Sequence, residues 1–127
     1  MKKDVTQALE HLLANAVACE FPTKHYFSSG ICIREMEMPK GSLLVGHKHK
    51  TDHITMLIKG SMQIRIGEES KIIHAPYTFE ALAGSRKIGL AYTDCVVSNI
   101  FPTDSTDIEE IEREFTDKHD LKEIPCQ

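Results

Sequence analysis

The chain has 127 residues, of which 41% are hydrophobic and 27% charged, and its formal net charge is -4. That length suits one compact domain with a modest core, and the mixed charges lack the signature of a disordered chain. The negative balance argues against nucleic acid as a partner, because affinity for phosphate backbones needs clustered Lys and Arg. The basic pairs Lys48 with Lys50 and Arg86 with Lys87 read as solvated surface.

The start of the chain loosely imitates a lipoprotein leader, with Met1-Lys2-Lys3 followed by Ala16-Val17-Ala18-Cys19. Asp4, Gln7, Glu10 and His11 interrupt the apolar stretch such a leader needs, and no run of about eighteen apolar residues occurs. The expectation is a cytoplasmic protein with no membrane partner. Cys19, Cys32, Cys95 and Cys126 lie far apart with no C-x-x-C pair and read as free thiols.

Val5, Leu9, Leu12, Leu13, Ala16 and Val17 fall at helical spacing, so residues 1–23 are expected to hold a helix over Asp4–Cys19 with Asp4 as N-cap. From residue 24 to 102 the pattern changes to short runs rich in Ile, Val, Tyr, Phe and Thr between Gly, Pro and charged turns, the signature of an all-β barrel or sandwich. Strands are expected at Tyr26–Phe27, Ile31–Met38, Ser42–Val45, Ile54–Lys59, Ser61–Ile66, Lys71–His74, Lys87–Tyr92 and Cys95–Ile100, with turns at Gly60 and Gly67–Ser70. In residues 103–127, Thr106 and Glu109 fit a capping box ahead of an acidic helix with a stripe of Ile108, Ile111 and Phe115, followed by a loose tail over Asp120–Gln127.

The informative segment runs from Gly41 to Gly60. In an extended strand His47 and His49 share one face while Lys48 and Lys50 take the other, and His53 after a short turn can approach the same interior point. Neutral imidazoles are the commonest transition-metal ligands, so His47, His49 and His53 form a candidate metal site.

This spacing resembles the first motif of the cupin superfamily: glycine, five residues, His-x-His, three residues, an acid, six residues, glycine. Gly41, His47, His49 and Gly60 fall in register, and His53 stands where the acid is usual. The second motif is degraded: Gly67 and Pro76 align, but Thr78 replaces its glycine, Ala81 its histidine ligand and Ser85 its asparagine. The resemblance, over residues 24 to 102, implies a double-stranded β-helix, a jelly-roll barrel, which the α-helices read from the spacing would flank at its N- and C-terminal ends. It also implies a divalent transition metal (Fe, Mn, Ni or Zn), held by three histidines as in some cupin-type thiol dioxygenases, although those take their third histidine from the second motif. The stretch Ala75–Lys87, with Tyr92-Thr93-Asp94 and Ile100–Asp104, further resembles small cupin-like proteins of tailed bacteriophages, which would place the chain in a host cytoplasm.

His74 is a candidate extra ligand or base, though such a strand-end histidine is more often on the surface. Glu80 is a candidate acid-base group, although alternation turns it away from the interior. Tyr26, Tyr77, Phe79 and Tyr92 either line a pocket or fill the core, and His11, His25 and His119 have no assigned role. Two functions remain open at this point. One is a cupin binding a divalent metal and a small molecule, with or without catalysis. The other is a non-catalytic phage-associated binding or structural module with a vestigial metal site. A homodimer is expected, because the N-terminal apolar stripe and the first strands offer more hydrophobic surface than the barrel covers.

Overall fold

Buried and exposed residues alternate along the middle of the chain, and that period of two builds sheets with one face turned inward. The computed structural model describes residues 17–46, 48–66, 68–117 and 122–125. Its elements in chain order are β1 (Val17–Glu20), β2 (Thr23–Ser28), β3 (Ile31–Met38), β4 (Leu43–Val45), β5 (Lys48–His49), β6 (His53–Lys59) and β7 (Ser61–Ile66). They continue with β8 (Glu69–His74), β9 (Tyr77–Ala81), β10 (Lys87–Ala91), β11 (Cys95–Phe101), helix α1 (Ile108–Phe115), β12 (Thr116–Asp117) and β13 (Lys122–Pro125).

A five-stranded sheet ordered β2-β3-β11-β6-β9 faces a four-stranded sheet ordered β4-β10-β7-β8, and all pairs in both are antiparallel. This is the all-β jelly roll expected from the sequence. Met38, Leu57, Val97 and Cys95 on one sheet pack against Leu44, Met62, Ile64, Ile73 and Ala91 on the other.

The inner face of the five-stranded sheet is graded by register. One transverse row is apolar: Tyr77, Leu57, Val97 and Met36. The next is polar over four strands, with Thr55 beside Asn99, Asn99 beside Arg34 and Arg34 beside His25. Beyond it lie His53 beside Ala81, and Phe101 beside Cys32. The chemistry-bearing groups therefore gather at one end of the barrel.

Helix α1 covers that end. Ile111 and Phe115 join Cys32 and Phe101 in a second buried cluster, while Ile108, the third member of the expected stripe, stays exposed. Its N-cap is Asp107 and not Thr106: the Asp107 carboxylate accepts from the backbone N–H of Glu109 and of Glu110, so the helix starts one residue later.

Two expectations at the chain ends are corrected. Val17–Cys19, expected at the end of an N-terminal helix, lie in the strand β1, and Lys122–Pro125, assigned to a loose tail, is β13. The two pair in parallel, each satisfying the other's backbone groups. The remainder of the N-terminal helix lies outside the described residues.

The β6–β7 turn carries the chain from one sheet to the other and turns on Gly60, whose φ is +92. A Cβ at this position would overlap the Asp94 carbonyl oxygen and the Cys95 Sγ. Gly60→Ala should therefore destabilise the fold by about 2 to 4 kcal/mol, through both left-handed strain and overlap. A urea midpoint equal to wild type would show that this turn tolerates a side chain.

Candidate functional site

The short strand β5 and the start of β6 bring the histidine segment to the interior. His49 and His53 are only 6% and 4% exposed, and their ring centroids stand 4.0 Å apart. The convergence read from the spacing is therefore real for these two. His47 lies outside the described residues. His53 is the Cα partner of Ala81, so the positions aligned with ligands of the two motifs are neighbours in space.

Sequence reasoning missed the residue at the centre. Lys87, taken as half of a solvated basic pair, is 3% exposed. Its Nζ lies 2.9 Å from His53 Nε2, 2.9 Å from Thr55 Oγ1 and 2.9 Å from Asn99 Oδ1, and the Thr55 hydroxyl donates to Asn99 Oδ1 at 2.7 Å. An ammonium has three N–H bonds, and here each meets an acceptor. All three acceptors are uncharged. No local signal marked it, since Lys87 alternates with Ile88 and Leu90 as an outward-facing lysine would.

The electrostatics follow from this arrangement. Burial, with the positive charge of Arg34 nearby, pushes the Lys87 ammonium down to about 7. Burial and then the Lys87 charge push His53 down to about 4. His53 is thus neutral, its Nε2 lone pair faces Lys87, and its Nδ1 lies 3.4 Å from the Thr51 carbonyl oxygen. Phe101 packs on both histidines, with centroids 5.2 Å from His53 and 6.1 Å from His49, and Phe115 of α1 stacks on Phe101 at 5.0 Å.

The other candidates fall away from this centre. His74 is exposed, with Nδ1 hydrogen-bonded to Ser61 Oγ at 2.7 Å, and Glu80 is exposed as alternation requires. Tyr77 and Phe79 pack against the core, while Tyr26 and Tyr92 are on the surface. A cleft of about 420 Å³ beside Met38, Lys59, Asp94 and Cys95 opens at the opposite end of the barrel.

The donor set does not fit a divalent metal as it stands. The lone pair that His53 would give to an ion is already engaged by Lys87, and among the described residues no group of three His, Cys, Asp or Glu side chains is placed to hold one.

No family model and no curated protein matches the chain. Solved structures do. The protein NMB1881 from Neisseria meningitidis superposes with a TM-score of 0.55 at 14% identity over 75% of this chain and 96% of its own. A cupin-2 domain containing protein from Shewanella frigidimarina gives 0.54 at 11% identity over 79% and 93% of the two chains. The fold is the cupin barrel. An acetylacetone dioxygenase from Acinetobacter johnsonii also matches, with a TM-score of 0.53 at 21% identity over 63% of this chain and 58% of its own. At such identities the likeness extends to the cupin fold and not to activity. Among the described residues no helix is long and apolar enough to cross a membrane.

Both depressed groups act in one direction on stability. His53 titrates near 6.5 in the unfolded chain and about 4 in the folded one, so the unfolded state binds more protons in that interval and stability falls as pH drops through it. Lys87 titrates near 10.5 unfolded and about 7 folded, so stability rises as pH climbs between those values. Urea midpoints should increase from mildly acidic to mildly alkaline pH, and Lys87→Met should remove the part of the rise above neutrality. A wild-type profile identical to that of Lys87→Met above neutrality would contradict the burial of this charge.

Proposed function

We propose that this chain is a small-molecule-binding cupin that supplies its own interior cation, with Lys87 taking the place that the first motif leads one to assign to a divalent metal. The reading is carried by one observation, the Lys87 Nζ at 2.9 Å from each of His53 Nε2, Thr55 Oγ1 and Asn99 Oδ1. A tethered ammonium satisfies the same lone pairs that would otherwise recruit an ion, and below about pH 7 it adds a positive charge to a dry interior. Such a module binds through charge and hydrogen bonding and needs no metal for that purpose.

The second reading is a divalent metal centre on His47, His49 and His53. The 4.0 Å approach of the His49 and His53 rings favours it, since two imidazoles already converge. The two readings separate on metal titration by calorimetry. If Lys87 holds the cation position, Lys87→Met frees His53 and its affinity for Ni, Zn or Mn rises at least about tenfold over wild type. If wild type instead takes up about one equivalent as tightly as Lys87→Met and loses it in His53→Ala, the metal reading is correct. His53→Glu separates them again. A carboxylate beside the ammonium should raise the urea midpoint if Lys87 is the cation, whereas preserved metal binding at an unchanged midpoint favours the metal.

A further inference from the structure

The polar row of the five-stranded sheet contains more charge than Lys87 alone. Arg34 neighbours Asn99 in the register between β3 and β11, and His25 neighbours Arg34 in that between β2 and β3. Lys87 reaches Asn99 from the opposite sheet. Two side-chain cations therefore flank one amide on the inner face. Arg34 is near enough for its charge to disfavour protonation of both Lys87 and His25.

Among the described residues no carboxylate stands within ion-pairing distance of Lys87. One reaches Arg34 from outside the barrel: Glu112 of α1, with Oε1 4.0 Å from Arg34 Nη2, and the same charge acts on His25. Between helix and sheet is a void of about 10 Å³, the space of one water, lined by His25, Cys32, Arg34, Phe101, Glu112 and Phe115. A carboxylate on a covering element thus points at a guanidinium with a buried ammonium behind it. Arg presents the fork of donors that matches a carboxylate, and a carboxylate bound beside it also favours the charged form of Lys87.

We propose that Arg34, backed by Lys87 and Asn99, is a binding site for the carboxylate of a small organic acid, and that Glu112 is a built-in occupant which the incoming carboxylate displaces. The proposal rests on the reading of Lys87 as the interior cation and names the ligand class for it. Helix α1 must yield locally for the ligand to enter, since the present void holds only a water.

Acetate is the probe, titrated into the full chain by calorimetry and by amide chemical shifts, with chloride at equal ionic strength as the control. Glu112→Gln removes the competing carboxylate at a partly exposed position and should bind acetate at least about tenfold more tightly than wild type. Adding Arg34→Gln, or separately Lys87→Met, to that background should abolish the gain. Acetate binding in Glu112→Gln that is no tighter than in wild type, or no stronger than chloride, overturns the proposal, as does binding that survives Arg34→Gln. Arg34 is part-exposed, so this arm stands even if Lys87→Met fails to fold. A failure here combined with increased metal affinity in Lys87→Met would remove the carboxylate site and leave the Lys87 reading intact.

Discussion

A lysine amine held inside a β-barrel by neutral partners, and charged only below about pH 7, is the constraint from which the rest of this structure follows. Burying an ammonium costs several kcal/mol unless every N–H is satisfied, and the low-dielectric interior makes each missing acceptor expensive. The chain meets this demand with three groups from two strands, His53 and Thr55 on β6 and Asn99 on β11, which converge on Lys87 from the opposite sheet. Each is fixed by the others. The Asn99 oxygen serves both Lys87 and Thr55, and His53 must keep its proton on Nδ1 for Nε2 to accept. Gly89, on the same strand face, leaves the space that Met62 Cε fills. Removing one partner alone would leave a buried polar group unsatisfied, so the four residues stand or fall together.

The same network explains which parts of the sequence were legible. Strands such as Ile31–Met38 and Ser61–Ile66 were readable to the residue, because one face is buried and the other exposed and the turns on both sides are marked by glycine or charge. The approach of His49 to His53 was readable because it depends on local spacing alone. Lys87 was not. Ile88 and Leu90 alternate with it, and an apolar pair on the face opposite a lysine reads as an inward pair with the charge turned to water. The strand is in fact buried on both faces at Lys87, Ile88 and Gly89, a property of the assembled sheets which no window of sequence contains.

Other omissions share that cause. β9, over Tyr77–Ala81, follows a proline and lacks the β-branched run that marks its neighbours, and it is a strand because β6 offers it a register partner at each residue. The two-residue strands β5 and β12 exist only as each other's partners. The terminal strands β1 and β13 depend on each other in the same way across most of the chain. Helix α1 was readable as a helix, but its role was not, because nothing in the sequence says that Phe115 stacks on Phe101 and thereby on the histidines.

That stacking has a consequence for how the polar end is kept dry. The barrel strands end at Phe101, whereas the covering surface of the polar end comes from Ile111, Phe115 and the pairing of Thr116 with His49. Lys50 adds two bonds to the same stretch, from its backbone N–H to the Phe115 carbonyl and from its Nζ to the Arg113 carbonyl, both at 2.8 Å. The dry surroundings of the histidines, and of the lysine beneath them, therefore depend on a segment that follows the last barrel strand. Local opening of that segment, with both sheets still paired, is the shortest route by which water reaches them.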